Sequence, residues 1–127
     1  MNIGKASETS GLPVKTIRYY EEIELIAPQR LENGYRDFSA VDVQDLKFLR
    51  RARDLGFSID ECRMLLELQR DPARASSQVK SIANGKIIDI DRQIVELQSL
   101  RATLSALVSE CRGDDTSECA ILEGLAH

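Results

Sequence analysis

No apolar run in this chain approaches the roughly 18 residues that a membrane-spanning helix needs. The opening Met1-Asn2-Ile3-Gly4-Lys5 also lacks the basic-then-apolar order of a secretory leader. A soluble, cytoplasmic protein with no membrane partner is therefore expected. Only three prolines and seven glycines interrupt a sequence rich in Leu, Ile, Ala, Glu and Arg, a composition that favours helix. Three cysteines, Cys62, Cys111 and Cys119, do not make a disulfide framework in a reducing compartment. Metal binding or redox sensing is then the leading use of a close pair. Cys-X-X-Cys, a strand–helix–strand alternation, a nucleophile paired with a base and a Gly-rich phosphate loop are all missing. Those absences argue against a thiol oxidoreductase, a metal carrier or any other enzyme class.

A chain of 127 residues can bury one modest core, with an extended element added to it. The net charge of −4 does not by itself announce a nucleic-acid partner. Clustering matters more: Lys47, Arg50, Arg51 and Arg53 fall in one short stretch, and Arg30 and Arg36 flank a predicted turn. Such patches can neutralise phosphates on an acidic protein, although on charge alone they equally describe a solvated helix face.

Residues 2–10 carry a short helical pattern, Ser10-Gly11-Leu12 a turn, and Pro13 suits the first turn of a second helix running to about Glu22. Helix, tight Gly-containing turn, helix is the arrangement of a helix-turn-helix. Asn33-Gly34 is a strong type I′ hairpin signal, which predicts a two-stranded wing pairing Arg30-Leu31 with Tyr35-Arg36. Ser39 should cap a third helix over 40–54, closed by Gly56 in the left-handed conformation. Ser58-Ile59-Asp60-Glu61 reads as a capping box opening a fourth helix that ends near Gln69.

From about Ser77 to Val108 one pattern continues without a break. Ile87, Ile90, Ile94, Leu97, Arg101, Leu104 and Val108 alternate spacings of three and four, an a/d heptad seam with one polar position. So long an amphipathic helix cannot pack wholly on a domain of 70 residues and needs a partner helix, most simply from a second copy of the chain. Residues 110–127 read as a loop followed by the apolar run Ala120-Ile121-Leu122.

Together, Ile17-Arg18-Tyr19-Tyr20-Glu21-Glu22, Pro28, Asn33-Gly34-Tyr35-Arg36 and Arg53-Asp54-Leu55-Gly56-Phe57-Ser58-Ile59 resemble the MerR family of transcription regulators. The heptad helix matches that family's antiparallel dimerisation helix, and the Cys111…Cys119 loop looks like its copper-responsive, CueR/HmrR-type branch. The fold class implied is all-α with a small β-wing: a winged helix-turn-helix domain over 1–70, a hinge over 71–76, a coiled-coil dimerisation helix over 77–109 and a metal-binding loop with a C-terminal segment over 110–127. One departure is Glu24, where the family usually has the Gly that closes the second helix. The helix is expected to run on slightly or to end without a left-handed cap.

The early residues of a second helix in a helix-turn-helix face the major groove, which makes Lys15, Thr16, Arg18 and Tyr19 the expected base and phosphate contacts. The resemblance favours Arg18 and Tyr19 among them, and Tyr20 should face the core. Tyr35 and Arg36 on the wing should hold flanking phosphate and sugar. The resemblance further implies a homodimer bound to double-stranded promoter DNA that it distorts, so that RNA polymerase can engage a badly spaced promoter.

Thiolates favour soft ions such as Cu(I). Two Cys eight positions apart can close a loop around one ion, and the further donors that tetrahedral Zn(II) requires are missing. Two-coordinate Cu(I), or Ag(I) or Au(I), suits this set. Two thiolates and a +1 ion leave a net −1, which the N-terminus of the long helix can compensate through Ser76 and Lys80. The family's divalent-metal branches usually carry Cys where Ser76 aligns. Activation of copper efflux or detoxification genes is what the resemblance implies. Sensing of thiol oxidation or of a divalent ion is the alternative.

Overall fold

The computed structural model describes residues 1–127. The order is α1 (Ile3–Ser10), α2 (Val14–Glu22), β1 (Gln29–Arg30), β2 (Arg36–Asp37), α3 (Ala40–Asp54), α4 (Ile59–Arg70), α5 (Ser76–Glu110) and α6 (Ala120–Ala126). The chain forms two compact units, Met1–Ala83 and Asn84–His127, with the boundary inside α5.

In the first unit, α1 packs on α2 and α3, and α3 packs on α4. Ala6, Ile17, Phe38, Leu46, Leu49, Cys62 and Leu66 are fully enclosed between them. Cys62 thus serves as a small apolar core residue, with its thiol 3.8 Å from the Phe57 carbonyl oxygen. Tyr20 is buried as expected. Burial pushes its phenol up, opposed by Arg53 beside it.

Local chemistry accounts for the helix boundaries. Gly11 takes φ +80° and its N–H closes α1 onto Ser7, which makes the tight turn before α2. Ser39 with Asp42 and Ser58 with Glu61 form reciprocal capping boxes at the starts of α3 and α4, each satisfying two otherwise orphan N–H groups. Gly56, at φ +91°, follows α3. The Phe57 N–H returns to the Ala52 carbonyl and the Gly56 N–H to Arg53, which is a Schellman closure.

The end of α2 corrects the expectation for Glu24. The helix stops at Glu22, and Glu24 is the single non-glycine residue with positive φ, at 60°. The Leu25 N–H bonds the Tyr20 carbonyl at 2.8 Å and the Glu24 N–H bonds Glu21 at 3.0 Å. This is the same Schellman closure, built on a residue with a Cβ. Arg63 on α4 supports it, donating to the carbonyls of Ile23 at 2.8 Å and Glu24 at 3.3 Å. Burial of Leu25 and Ile26 supplies the rest of the driving force. A left-handed L-residue costs roughly 1–2 kcal/mol, against about 0.4–1 kcal/mol for the extra unfolded-state freedom of Gly. Glu24→Gly should therefore stabilise the protein by about 0.5–1 kcal/mol, read as a higher urea midpoint at unchanged m. A lower midpoint would contradict the strain argument.

The wing also differs from expectation. Its strands pair antiparallel, Gln29 with Asp37 and Arg30 with Arg36, and Asn33 does not take positive φ. The turn is therefore not type I′. A further bond from the Leu31 N–H to the Tyr35 carbonyl, at 2.8 Å, leaves Glu32, Asn33 and left-handed Gly34 as a three-residue connection, another common hairpin form. The Asn33 carboxamide accepts from the Tyr35 N–H, a local turn bond that competes with the I′ geometry.

Helix α5 has 35 residues, about 52 Å at 1.5 Å per residue, and absorbs Gly85 without interruption. Its seam residues lie exposed: Ile94 is 47% and Leu97 64% accessible. The helix thus fits coiled-coil dimerisation. The expectation for the last residues was incomplete, since 120–126 form the additional helix α6. Gly124 lets it lie close on α5, where a Cβ would sit 2.5 Å from Leu107 Cδ2. No helix is long and apolar enough to cross a membrane.

Candidate nucleic-acid interface and metal centre

Helix α2 buries Ile17 and Tyr20 and leaves Lys15, Arg18 and Tyr19 exposed, with Thr16 partly so. That spacing puts the polar face of one helix outward while its apolar face locks into the core. The Tyr19 ring lies tilted beside Tyr20, with centroids 6.2 Å apart. Arg18 makes no ion pair with Glu21 or Glu22. Glu21 is instead engaged by the wing: Arg30 Nη2 donates to its Oε1 at 2.9 Å and Arg36 Nε to its Oε2. Tyr35 stands at the wing tip, 73% exposed. Arg18, Glu21, Glu22, Arg30 and Arg36 line one depression of about 370 Å³. The structure therefore brings Arg18 of α2 together with Arg36 of the wing, while Lys15, Tyr19 and Tyr35 are exposed elsewhere on the same two elements. It adds Arg30, and it gives Arg36 a carboxylate partner that its sequence context does not announce. Of the basic cluster on α3, Arg53 is taken up by the Phe57 carbonyl, at 2.8 Å, and by Tyr20. Arg50 lies against Gly11 at the turn between α1 and α2.

In the second unit, Cys111 follows the last residue of α5 and Cys119 caps α6. Their sulfurs are 3.7 Å apart, both half-buried and free of any disulfide. The Cys119 thiol is held below the ordinary thiol range by the nearby Leu122 backbone first, then by the Cys111 thiol and the Ile121 backbone, while burial and Glu123 oppose. Arg112 bridges the loop by pairing with Asp114 at 3.1 Å and Glu118 at 4.0 Å. No group of three or more His, Cys, Asp or Glu is arranged to hold a metal ion. The donor set is therefore two thiols. Their separation is close to the edge of a tetrahedron of roughly 2.3 Å metal–sulfur bonds, and a linear pair would stand about 4.6 Å apart. A linear two-coordinate ion would need the sulfurs to open by about 0.9 Å, and the loop residues 112–118 between them are exposed.

Ser76 and Lys80 belong to the first unit. Ser76 is the first residue of α5, one position earlier than the pattern suggested, and Lys80 is one turn in. They share a shallow depression with Pro72, Arg74, Val79 and Ala83. Arg74, which the sequence did not single out, thus adds a second positive charge beside this helix start.

Comparison with known proteins gives the family of the chain and its relatives. The family described as MerR HTH family regulatory protein matches residues 1–69, and that described as MerR, DNA binding matches residues 43–107. The chain is 59% identical to the HTH-type transcriptional regulator HmrR of Rhizobium leguminosarum bv. viciae, covering 99% of this chain and 98% of that one. It is 43% identical to the HTH-type transcriptional regulator CueR of Yersinia pestis, covering 99% and 91%. Among solved structures, the transcription regulator PbrR691 from Ralstonia metallidurans CH34 in complex with lead(II) superposes with a TM-score of 0.84 at 32% identity, covering 98% of each chain. These relatives are transcription regulators rather than enzymes, and with the helix-turn-helix, wing and long helix in place, the chain belongs to the MerR family of helix-turn-helix regulatory proteins.

Proposed function

We propose that this protein is a homodimeric, cytoplasmic transcription activator that responds to Cu(I), with Ag(I) and Au(I) as further ligands, through Cys111 and Cys119. The observation that carries the reading is the donor set itself, two neighbouring thiols with no third donor of the chain arranged beside them. Two soft donors suit a monovalent soft ion and leave Zn(II) short of its usual four ligands. The relatives named HmrR and CueR support a metal-responsive regulator of this branch.

Residues 1–70 act as the DNA reader, 71–76 as a hinge, 77–109 as the dimerisation helix and 110–127 as the effector segment. Lys15, Thr16, Arg18 and Tyr19 contact the major groove, and Tyr35 and Arg36 contact the flanking backbone. Antiparallel pairing of α5 sets the N-terminus of one copy beside the C-terminus of the other. Ser76 and Lys80 of one protomer then compensate the net −1 that two thiolates and a +1 ion leave at Cys111 and Cys119 of the other. Metal shifts the dimer between two shapes with different DNA preferences, and distortion of the bound promoter brings its elements into register for RNA polymerase.

An anaerobic Cu(I) titration against a strong chelator, run beside Zn(II), tests this. The wild type should bind one Cu(I) per chain tightly and Zn(II) weakly, whereas Ser76→Cys, which adds a third thiolate, should gain Zn(II) affinity. Equal Zn(II) binding by the wild type would favour the divalent-ion reading, which the tetrahedral-edge separation of the sulfurs supports. Reversible oxidation of the two thiols, with weak Cu(I) binding, would favour a redox sensor.

A further inference from the structure

We propose that Glu21 is a positioning residue for DNA recognition: its carboxylate holds the recognition helix and the wing at one fixed spacing, so that both engage the same duplex in register. The proposal rests on the DNA interface described above.

Glu21 lies in the last turn of α2, and its side chain is 17% exposed. One oxygen accepts from Arg30 on β1 and the other from Arg36 on β2, so a single carboxylate grips both strands of the wing. Arg30 extends the link by donating from Nη1 to the Gly34 carbonyl at 3.1 Å, next to Tyr35 at the tip. The wing's other ties are the turn bonds around Leu31, Gly34 and Tyr35 and the N-terminal amine on Asp37 and Phe38, none of which reaches α2. The strands are two residues each, and an isolated two-stranded ribbon is marginal in water. Charge-assisted bonds from guanidinium to carboxylate are the strong, directional kind. A half-buried acid bonded to two partners therefore fixes the wing better than the ribbon fixes itself.

Electrostatics sharpens the argument. An acid on a DNA-facing surface repels phosphate, so Glu21 lowers affinity for any duplex unless it does something else. Glu22, its neighbour, is exposed and makes no ion pair. Preorganisation is the compensating role, since contacts held in place before binding lose less freedom on binding. It favours the duplex whose groove and backbone match the fixed spacing and gives nothing to a mismatched one.

The experiment uses the full-length dimer. Duplexes enriched by the wild type from a random-sequence library serve as the specific probe, and a scrambled duplex of equal composition as the non-specific one. Kd is measured for both at a series of KCl concentrations, because affinity without salt is uninterpretable. Glu21→Gln keeps size and removes charge. It should weaken the enriched duplex at least tenfold, and leave the scrambled duplex unchanged or up to a few-fold tighter. Because Glu21 acts through both wing arginines, adding Glu21→Gln to the Arg30→Gln/Arg36→Gln variant should cost nothing further on the enriched duplex. An equal change on both duplexes, in either direction, or a full additional loss in that triple variant, would overturn the positioning role. Failure of the wild type to enrich any sequence would instead overturn the interface reading itself.

Discussion

Cys111→Ser and Cys119→Ser should each abolish high-affinity Cu(I) binding and metal-dependent activation while leaving DNA binding in place. With two donors in all, losing one removes half of the coordination. Spreading the roughly 10–16 kcal/mol of a four-ligand structural zinc site evenly gives about 3–4 kcal/mol per ligand, a loss of hundred- to thousand-fold in affinity. The loss here should reach at least that scale, because a serine hydroxyl is harder and stays protonated at neutral pH, whereas the thiolate is the ligand form. Neither cysteine has a structural role that would confuse the result. Both are half-buried, and neither belongs to the core cluster of the first unit, whose one cysteine is Cys62. The comparison to make is Cu(I) affinity by chelator competition, alongside promoter binding and transcription in vitro. A variant that still activated on Cu(I) at wild-type concentrations would exclude Cys111 and Cys119 as the sensing pair.

Where one residue type admits one geometry, the sequence was a good guide to the fold. Ser39 and Ser58 start helices because their side chains and those of Asp42 and Glu61 satisfy orphan N–H groups, and Gly56 ends α3 because it takes positive φ freely. The same logic misled at Glu24. The pattern contains no glycine there, yet burial of Leu25 and Ile26 and the two bonds from Arg63 enforce the left-handed turn. That is tertiary context overriding a local preference, and no window of sequence around residue 24 contains Arg63. Asn33-Gly34 likewise promised a two-residue turn, but the Asn33 side chain bonds the Tyr35 N–H and a longer connection results. Helix α6 escaped notice because seven residues containing a glycine carry too little periodicity to distinguish a helix from an apolar loop.

The candidate sites divide in the same way. Lys15, Arg18 and Tyr19 are legible because a helix with Ile17 and Tyr20 inward must turn them outward. The cysteines are legible as a pair, but their 3.7 Å approach depends on how α6 folds back on Leu107. The engagement of Glu21 by both wing arginines links residues 9 and 15 positions apart, separations that no helical spacing within α2 encodes. Arg74 beside Ser76 and Lys80 depends on the path of the chain between α4 and α5.

Ile94→Asp should convert the dimer to monomers at micromolar concentration and with that remove specific DNA binding. End-to-end antiparallel pairing of Ser76–Glu110 puts the two-fold axis near residue 93. Ile94 then meets its own copy across the seam, and Ile90 faces Leu97. In the single chain these side chains are solvent-exposed over a third or more of their surface, so the partner helix is what removes them from water. Losing a well-packed Ile costs about 2–5 kcal/mol, and each dimer loses two. The two new carboxylates also lie close to each other in an apolar seam, where like charges and desolvation add to the penalty. The combined loss is at least about 4 kcal/mol, a thousand-fold or more in the dimer dissociation constant. Sedimentation equilibrium reads it directly, with Ile94→Leu as the control that preserves volume and polarity. A half-operator contact by a lone recognition helix is too weak to survive physiological salt, because each protomer supplies only half of the phosphate contacts. Retention of a dimer by Ile94→Asp would show that the seam lies on another face of α5. On the proposed reading, in which Ser76 and Lys80 of the opposite protomer compensate the charge at Cys111 and Cys119, the monomer should also lose Cu(I) affinity, which would tie metal sensing to the same interface that pairs the two DNA readers.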